Sequence, residues 1–304
     1  MPWISLSLLS AFFKSLSTIS EKEILFKEKV TDYTSGISFV ISIFSLPLLL
    51  FVKNMSLSLE IFWLIFLFSF ISITATLAFS YILKKIDIGE SSVLFAIQPI
   101  IVAIMGSLFI SEFLTTLQTV GIIVSSLGLF ILEFPEKKKH AQEILIHNPE
   151  TPVKHSRKKI YFIIIFALLL YGVGAICDRY IVHYRNIDPI LYLVIVQLCI
   201  SLNMFVYEII RNIFTVKLTP PQKLLDPALL TRKTFWVNVL FIIGSRTTYM
   251  ISTGLITVGL SNAVRQTSSL ITTIVGGKLF KEKAVLRRSL AGLVVVAGVL
   301  LVAI

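Results

Sequence analysis

The stretch Ile86-Asp87-Ile88-Gly89-Glu90-Ser91 returns 170 residues later as Ile256-Thr257-Val258-Gly259-Leu260-Ser261. The match continues without a gap from Ile86 to Leu132 against Ile256 to Val302. It carries the identities Ile101/Ile271, Gly106/Gly276, Glu112/Glu282 and Gly128/Gly298. Apolar coincidences are cheap in greasy sequence, but recurring Gly, Ser and Glu at fixed spacing are not, and such self-similarity marks an internal repeat. Upstream, Phe62-Trp63 pairs with Phe235-Trp236 at a slightly different offset. Ile19-Ser20-Glu21-Lys22 pairs with Ile176-Cys177-Asp178-Arg179, each an acidic-basic dyad closing an apolar run. The repeat therefore covers most of both halves.

The sequence around the repeat belongs in lipid. Of the 304 residues, 56% are apolar and only 15% charged. Mean hydropathy is +0.88. An ordinary soluble domain carries about 25% charge to cover its surface. A bilayer core needs about 20 apolar residues per helix. Ten runs qualify: Trp3 to Ser20, Gly36 to Val52, Ile61 to Leu83, Ser91 to Ile110, Leu117 to Glu133, Ile160 to Cys177, Pro189 to Ile210, Phe235 to Thr257, Ser261 to Phe280 and Ser289 to Ile304. The N-terminal run has no basic residue before it and no small-residue cleavage site after it, so it counts as a span and not as a signal peptide.

Between the fifth and sixth runs, Phe134 to Lys159 holds three prolines, Lys137-Lys138-Lys139 and three of the four histidines. It reads as a basic, solvated linker. The expected organisation is a five-helix repeat over 1–133, the linker over 134–159 and a second five-helix repeat over 160–304. Arg211 to Lys233, with Pro220-Pro221 and Pro227, reads as a further polar loop. The expected fold is thus an all-α integral membrane protein of ten transmembrane helices. Five is odd, so the two repeats sit inverted in the membrane, an arrangement typical of secondary carriers.

Here a family becomes visible. Asp87-Ile88-Gly89-Glu90-Ser91-Ser92 leads to Gln98-Pro99-Ile100 and then to Phe109-Ile110-Ser111-Glu112. The second copy runs from Val258-Gly259-Leu260-Ser261-Asn262-Ala263 to Gln266-Thr267-Ser268-Ser269 and Leu279-Phe280-Lys281-Glu282-Lys283. In order and duplication these segments resemble the EamA-like branch of the drug/metabolite transporter superfamily, along nearly the whole chain. The resemblance implies ten helices, a central cavity between the halves, and export or exchange of a small metabolite.

The basic residues report orientation. Of 28 Lys and Arg, 22 fall in the segments following odd-numbered runs, including the linker. The other side has Lys53, Arg179 and Arg185. The positive-inside rule then puts the linker in the cytoplasm of a cell whose plasma membrane holds the chain, with both termini outside, against the family habit of cytoplasmic termini. No basic stripe interleaved with aromatics is present, so nucleic acid is not an expected partner. Cys177 and Cys199 are widely spaced in apolar runs and form neither a disulfide framework nor a metal motif. No phosphate-cradling Gly-Lys motif and no His-Glu-x-x-His occur, so neither cofactor, metal nor enzyme chemistry is expected.

Ionisable groups inside spans are the functional candidates. Arg246 lies in mid-span, as a substrate or gating contact or else a structural pair. Arg265, about one turn into its span and followed by Gln266, lines a cavity or snorkels to the interface. Lys14 carries the same two readings. If the three share one cavity, that cavity is cationic and suits an anionic or amino-acid-like (zwitterionic) substrate. Gln98-Pro99 predicts a kink and a freed carbonyl in the fourth helix. Tyr171, Asn238 and Gln197 are weaker candidates, since polar groups in spans also serve as interhelical glue. Glu112 and Glu282 read as water-facing turns, and Asp178-Arg179 as an interface mark. With no evident mid-span carboxylate, proton coupling has no carrier.

The resulting expectation is a secondary active transporter working by alternating access. A channel, a lipid-type flippase or a non-transporting membrane subunit stands as the alternative. Its partners are a small-molecule substrate and the lipid bilayer. The oligomeric state is left open, a monomer being sufficient.

Overall fold

A computed structural model describes residues 2–131, 153–215 and 227–280, with residues 294, 297–299 and 301. The described residues contain helices and turns and no strand. Helix α1 spans Pro2–Leu25. Helix α2, Val30–Ser45, runs on as a 3-10 helix to Phe51. Helix α3 spans Leu59–Lys85, and the Ser58 hydroxyl caps it by accepting from the Ile61 amide. Then come α4 (Ile88–Leu94), α5 (Gln98–Ile110) and α6 (Thr116–Ile131).

The second part has α7 (Val153–Arg179), closed by a π-helical turn Tyr180–Tyr184, and α8 (Pro189–Thr215). A short α9 (Pro227–Leu230) precedes α10 (Lys233–Leu255). The ninth apolar run is cut into α11 (Val258–Arg265), α12 (Thr267–Ile271), a π-helical turn Thr272–Gly276 and α13 (Gly277–Leu279).

Burial is arranged for lipid. Leu50, Leu108, Phe113, Phe162 and Leu240 face outward. Ser7, Ser10, Ser69, Ser80, Asn203 and Ser252 are buried. Apolar side chains facing outward, with small polar ones buried beside an apolar core, are what a bilayer solvent selects. Among the described residues, four helices are long and apolar enough to cross a membrane: Val30–Phe51, Leu59–Lys85, Lys159–Tyr184 and Pro189–Ile210. Shorter apolar helices are Gln98–Ile110 and Thr116–Gly128. Helices α1 and α10 have the length but are diluted by polar residues.

Those polar residues hold α1 and α10 together. Ser7 and Ser252 share a hydrogen bond of 2.6 Å. Ser10 donates to the Ser245 carbonyl at 2.8 Å, and Ser245 returns one to the Ser10 carbonyl at 3.1 Å. In a membrane such bonds contribute about 0.6–2 kcal/mol each, and small side chains let the backbones close up. The pairings also fix direction: α1 and α10 are antiparallel. Gly298 meets α6 so closely that an added Cβ would lie 2.4 Å from the Ser125 amide nitrogen.

Several boundaries differ from the sequence expectation. Helix α1 continues past Ser20 to Leu25. Helix α7 starts at Val153, so the last seven residues of the expected linker extend a helix. Helix α8 runs to Thr215, into the expected polar loop. The fourth run is interrupted by a 3-10 turn at Phe95–Ile97, directly before Gln98-Pro99, and its backbone stays helical through the turn. The rest of the linker, Glu282 and most of the tenth run lie outside the described residues.

Candidate functional site

Antiparallel helices α1 and α7 face each other across the bundle. Near its C-terminus α1 meets the C-terminus of α3, where Lys22 Nζ donates to the Leu83 carbonyl (2.5 Å) and the Ile86 carbonyl (2.6 Å). Near its own C-terminus α7 meets the C-terminus of α10, where Arg179 Nη1 donates to the Thr253 carbonyl at 2.5 Å. A cation at a helix C-terminus satisfies orphan carbonyls and opposes the negative end of the dipole. Since Ser7, at the start of α1, lies level with Ser252, these two helix-end contacts occupy opposite ends of the molecule.

Between them lies a cavity of ≈ 170 Å³. One enclosed water takes about 10–15 Å³ on this measure, so the space suits a small metabolite. Lys14, Arg246 and Arg265 all line it, as do Gln98, Tyr171 and Gln197. Lys14 is seven residues beyond Ser7 and Arg246 six before Ser252, which places both about 10 Å from that end. They are therefore level with each other at mid-depth.

Each cation is held without an acidic partner among the described residues. Lys14 Nζ sits 5.6 Å from the Phe79 ring and 5.8 Å from the Tyr171 ring. Arg246 Nη1 donates to Gln197 Oε1 at 3.0 Å. The Arg265 guanidinium stacks 4.2 Å over Tyr249, and its buried Nε has no hydrogen-bond partner among the described residues. Aromatic faces stabilise these charges partially and leave donors for a guest. Tyr249 is itself fixed, accepting from Asn262 Nδ2 at 3.2 Å.

The broken fourth and ninth runs meet beside this centre. Pro99 has no amide hydrogen for the Phe95 carbonyl four residues back, so the chain passes through a 3-10 turn at Phe95–Ile97 before α5 begins. Gln266 Nε2 donates to that Phe95 carbonyl at 2.9 Å and to Ser269 Oγ at 2.8 Å. The Phe95 carbonyl also accepts the Gln98 amide in the 3-10 turn, so a residue at one break adds a second hydrogen bond at the other. Gln266 lines a side pocket of ≈ 30 Å³ that shares Lys14, Gln98 and Tyr171 with the main cavity. Pro99 is buried at the start of α5 and does not line the main cavity. Asn238 stands one layer back, donating from Nδ2 to the Tyr33 hydroxyl at 2.8 Å. Tyr33 lines the cavity.

Sequence reasoning missed the two acidic residues of the cavity and misplaced Glu112. Glu21 lines the cavity and is buried, accepting from Ser80 Oγ at 2.6 Å. Asp178 lines it too, accepting from Tyr192 Oη at 2.6 Å. Neither is the interface mark expected of an acidic-basic dyad, because the helix carries the acid inward while the base serves a neighbouring helix end. The cavity therefore has three cations and two carboxylates, and is not uniformly cationic.

Glu112 does not face water. Ser111 adopts the left-handed conformation (φ 55°), and the turn folds Glu112 inward. Glu112 is buried, pairs with Arg179 Nε at 2.5 Å and accepts from the Val258 amide at 2.9 Å. This joins the turn after α5 to α7 and to the start of α11.

Residues 1–134 match the model of the EamA-like transporter family. The match covers the N-terminal part of the chain and likens it to a family of membrane transporters. No curated protein matches the chain. One solved structure, described only as "Crystal structure of protein", superimposes with a TM-score of 0.65 at 12% identity, covering 98% of this chain and 96% of that one. At that identity the likeness shows the fold alone.

Proposed function

We propose that the chain, whose first 134 residues match the EamA-like transporter family, is a secondary active carrier that moves a small anionic or zwitterionic metabolite by alternating access. The observation that carries this reading is the convergence of Lys14, Arg246 and Arg265 on one cavity inside the bundle. Lys14 comes from the N-terminal half and both arginines from the C-terminal half. A site built by both halves changes its access when one half rocks against the other. The guanidinium forks of Arg246 and Arg265 suit a carboxylate or phosphate, and Gln98 and Tyr171 offer neutral hydrogen bonds beside them.

The ten-helix, inverted-repeat arrangement belongs to this proposal. It is supported by the breaks at Phe95–Ile97 and Gln266, which fall at matching places in the repeat. It is supported also by the antiparallel course of α1 and α7. We place the basic linker in the cytoplasm, both termini outside and the chain in the plasma membrane, on the Lys and Arg distribution.

The test is a panel of small carboxylates, phosphates and amino acids screened for thermal stabilisation of the purified protein. A ligand at 100 times its Kd stabilises the folded form by about 2.7 kcal/mol. The expected result is an anion that stabilises the wild type and loses at least ~10-fold in affinity in Arg246→Gln, a change of about 1.4 kcal/mol. Equal stabilisation of wild type and Arg246→Gln by every anion would refute the assignment of the centre.

A further inference from the structure

The central cations have a counterpart at each end of the cavity. Glu21 lies fourteen residues beyond Ser7 on α1, about 21 Å along the axis at 1.5 Å per residue. Asp178 precedes Arg179, which binds the Thr253 carbonyl at the Ser7 end. The two carboxylates are therefore at opposite ends of one cavity, roughly 20 Å apart, with Lys14 and Arg246 between them.

Neither carboxylate forms an ion pair with a described residue. Glu21 receives one hydroxyl hydrogen, from Ser80 on α3. The titratable groups facing it are Lys14 on its own helix, Tyr33 on α2 and Tyr171 on α7. Asp178 receives one phenol hydrogen, from Tyr192 on α8. It faces Cys177 on its own helix, Tyr249 and Arg246 on α10, and Arg265 on α11. The neighbouring bases Lys22 and Arg179 are turned away, onto helix-end carbonyls.

A carboxylate that lines a low-dielectric cavity and holds one neutral hydrogen bond is costly to keep ionised once the nearby positive charge is used by a guest. An anion bound to Lys14, Arg246 and Arg265 does that. It also adds a like charge, which favours the protonated acid.

We propose that Glu21 and Asp178 are proton-binding sites, one at each end of the cavity, and that a proton enters with the anionic cargo. This rests on the carrier reading above. When one end is open, a hydronium ion gives its proton to the carboxylate at that end and leaves water. With the cavity closed, the proton passes through cavity water to the carboxylate at the other end, which gives it to water once that end opens. No bond to the cargo forms or breaks. Each ionisable group has its own side of the membrane, so the inverted halves perform the same proton step in opposite directions.

The test is an infrared pH titration of the full-length protein in liposomes, read at the carboxylic-acid C=O stretch. It needs no cargo. The expected result is two bands that grow between about pH 8 and about pH 6, where exposed carboxyls stay ionised, and that shift in deuterium oxide. Glu21→Gln removes one and Asp178→Asn the other. Glu21→Asp and Asp178→Glu move the corresponding band without abolishing it, and these conservative variants decide the matter if an amide variant fails to fold. The helical amide band in each spectrum reports folding. Unchanged carboxylic-acid bands in all folded variants, or no band titrating in that pH range in the wild type, would overturn the proton sites. Either outcome would leave the anion site to its own stabilisation test.

Discussion

The dyad Glu21-Lys22 at the end of α1 and the dyad Asp178-Arg179 at the end of α7 divide their labour alike. In both, the acid turns into the cavity and the base seals the C-terminus of a neighbouring helix. The parts differ. Lys22, a point charge, gives hydrogen bonds to the Leu83 and Ile86 carbonyls. Arg179, a planar fork, holds the Thr253 carbonyl and Glu112 at once. Glu112 in turn accepts the Val258 amide. Arg179 therefore fastens together segments from both halves of the chain. The acids differ as well: Glu21 is buried against a serine, whereas Asp178 is half-buried against a tyrosine. A common role can thus survive a change of residue type when the geometry at the helix end is kept.

The largest effect is expected from Arg179→Ala. It leaves Glu112 as a buried charge without its partner, a loss of about 3–5 kcal/mol. Arg179→Lys keeps the charge but not the fork, and should recover only part of that loss. Unfolding of the purified protein by heat or detergent titration measures both. Equal stability of Arg179→Ala and wild type would show that the two dyads do not seal their ends as described. Smaller effects come from the donors. Tyr192→Phe and Ser80→Ala each remove one hydrogen bond from a cavity carboxylate, at about 0.5–1.5 kcal/mol. The same unfolding measurement would sharpen the comparison. Similar losses would mean equivalent acids, and a loss confined to one would mean that the ends are unequal.

Much of this was legible in the sequence. The apolar character of the helices and the distortion beside Gln98-Pro99 follow from patterns that need no long-range contact. Arg246, Arg265 and Lys14 stood out because a charge in a span is expensive wherever it points. Glu21 and Asp178 did not stand out. An acid beside a base at the end of an apolar run also describes an interface. The difference depends on α1 continuing to Leu25 and on Lys22 finding carbonyls more than 60 positions away in the chain. Glu112 was misread for a similar reason, since its partner Arg179 lies 67 positions away. Asn238 could not be separated in sequence from a lining residue, although it reaches the cavity only through Tyr33.

The central claim is that cargo crosses with its binding site alternately open to each side. Counterflow measures this most directly. Proteoliposomes loaded with an unlabelled anion from the stabilising set are diluted into a trace of the same anion carrying a label. A carrier gives transient accumulation of label above its equilibrium level, because outward-moving unlabelled cargo returns the site loaded. Uptake that rises to equilibrium without overshoot, as through a channel, would contradict alternating access at the Lys14, Arg246 and Arg265 centre.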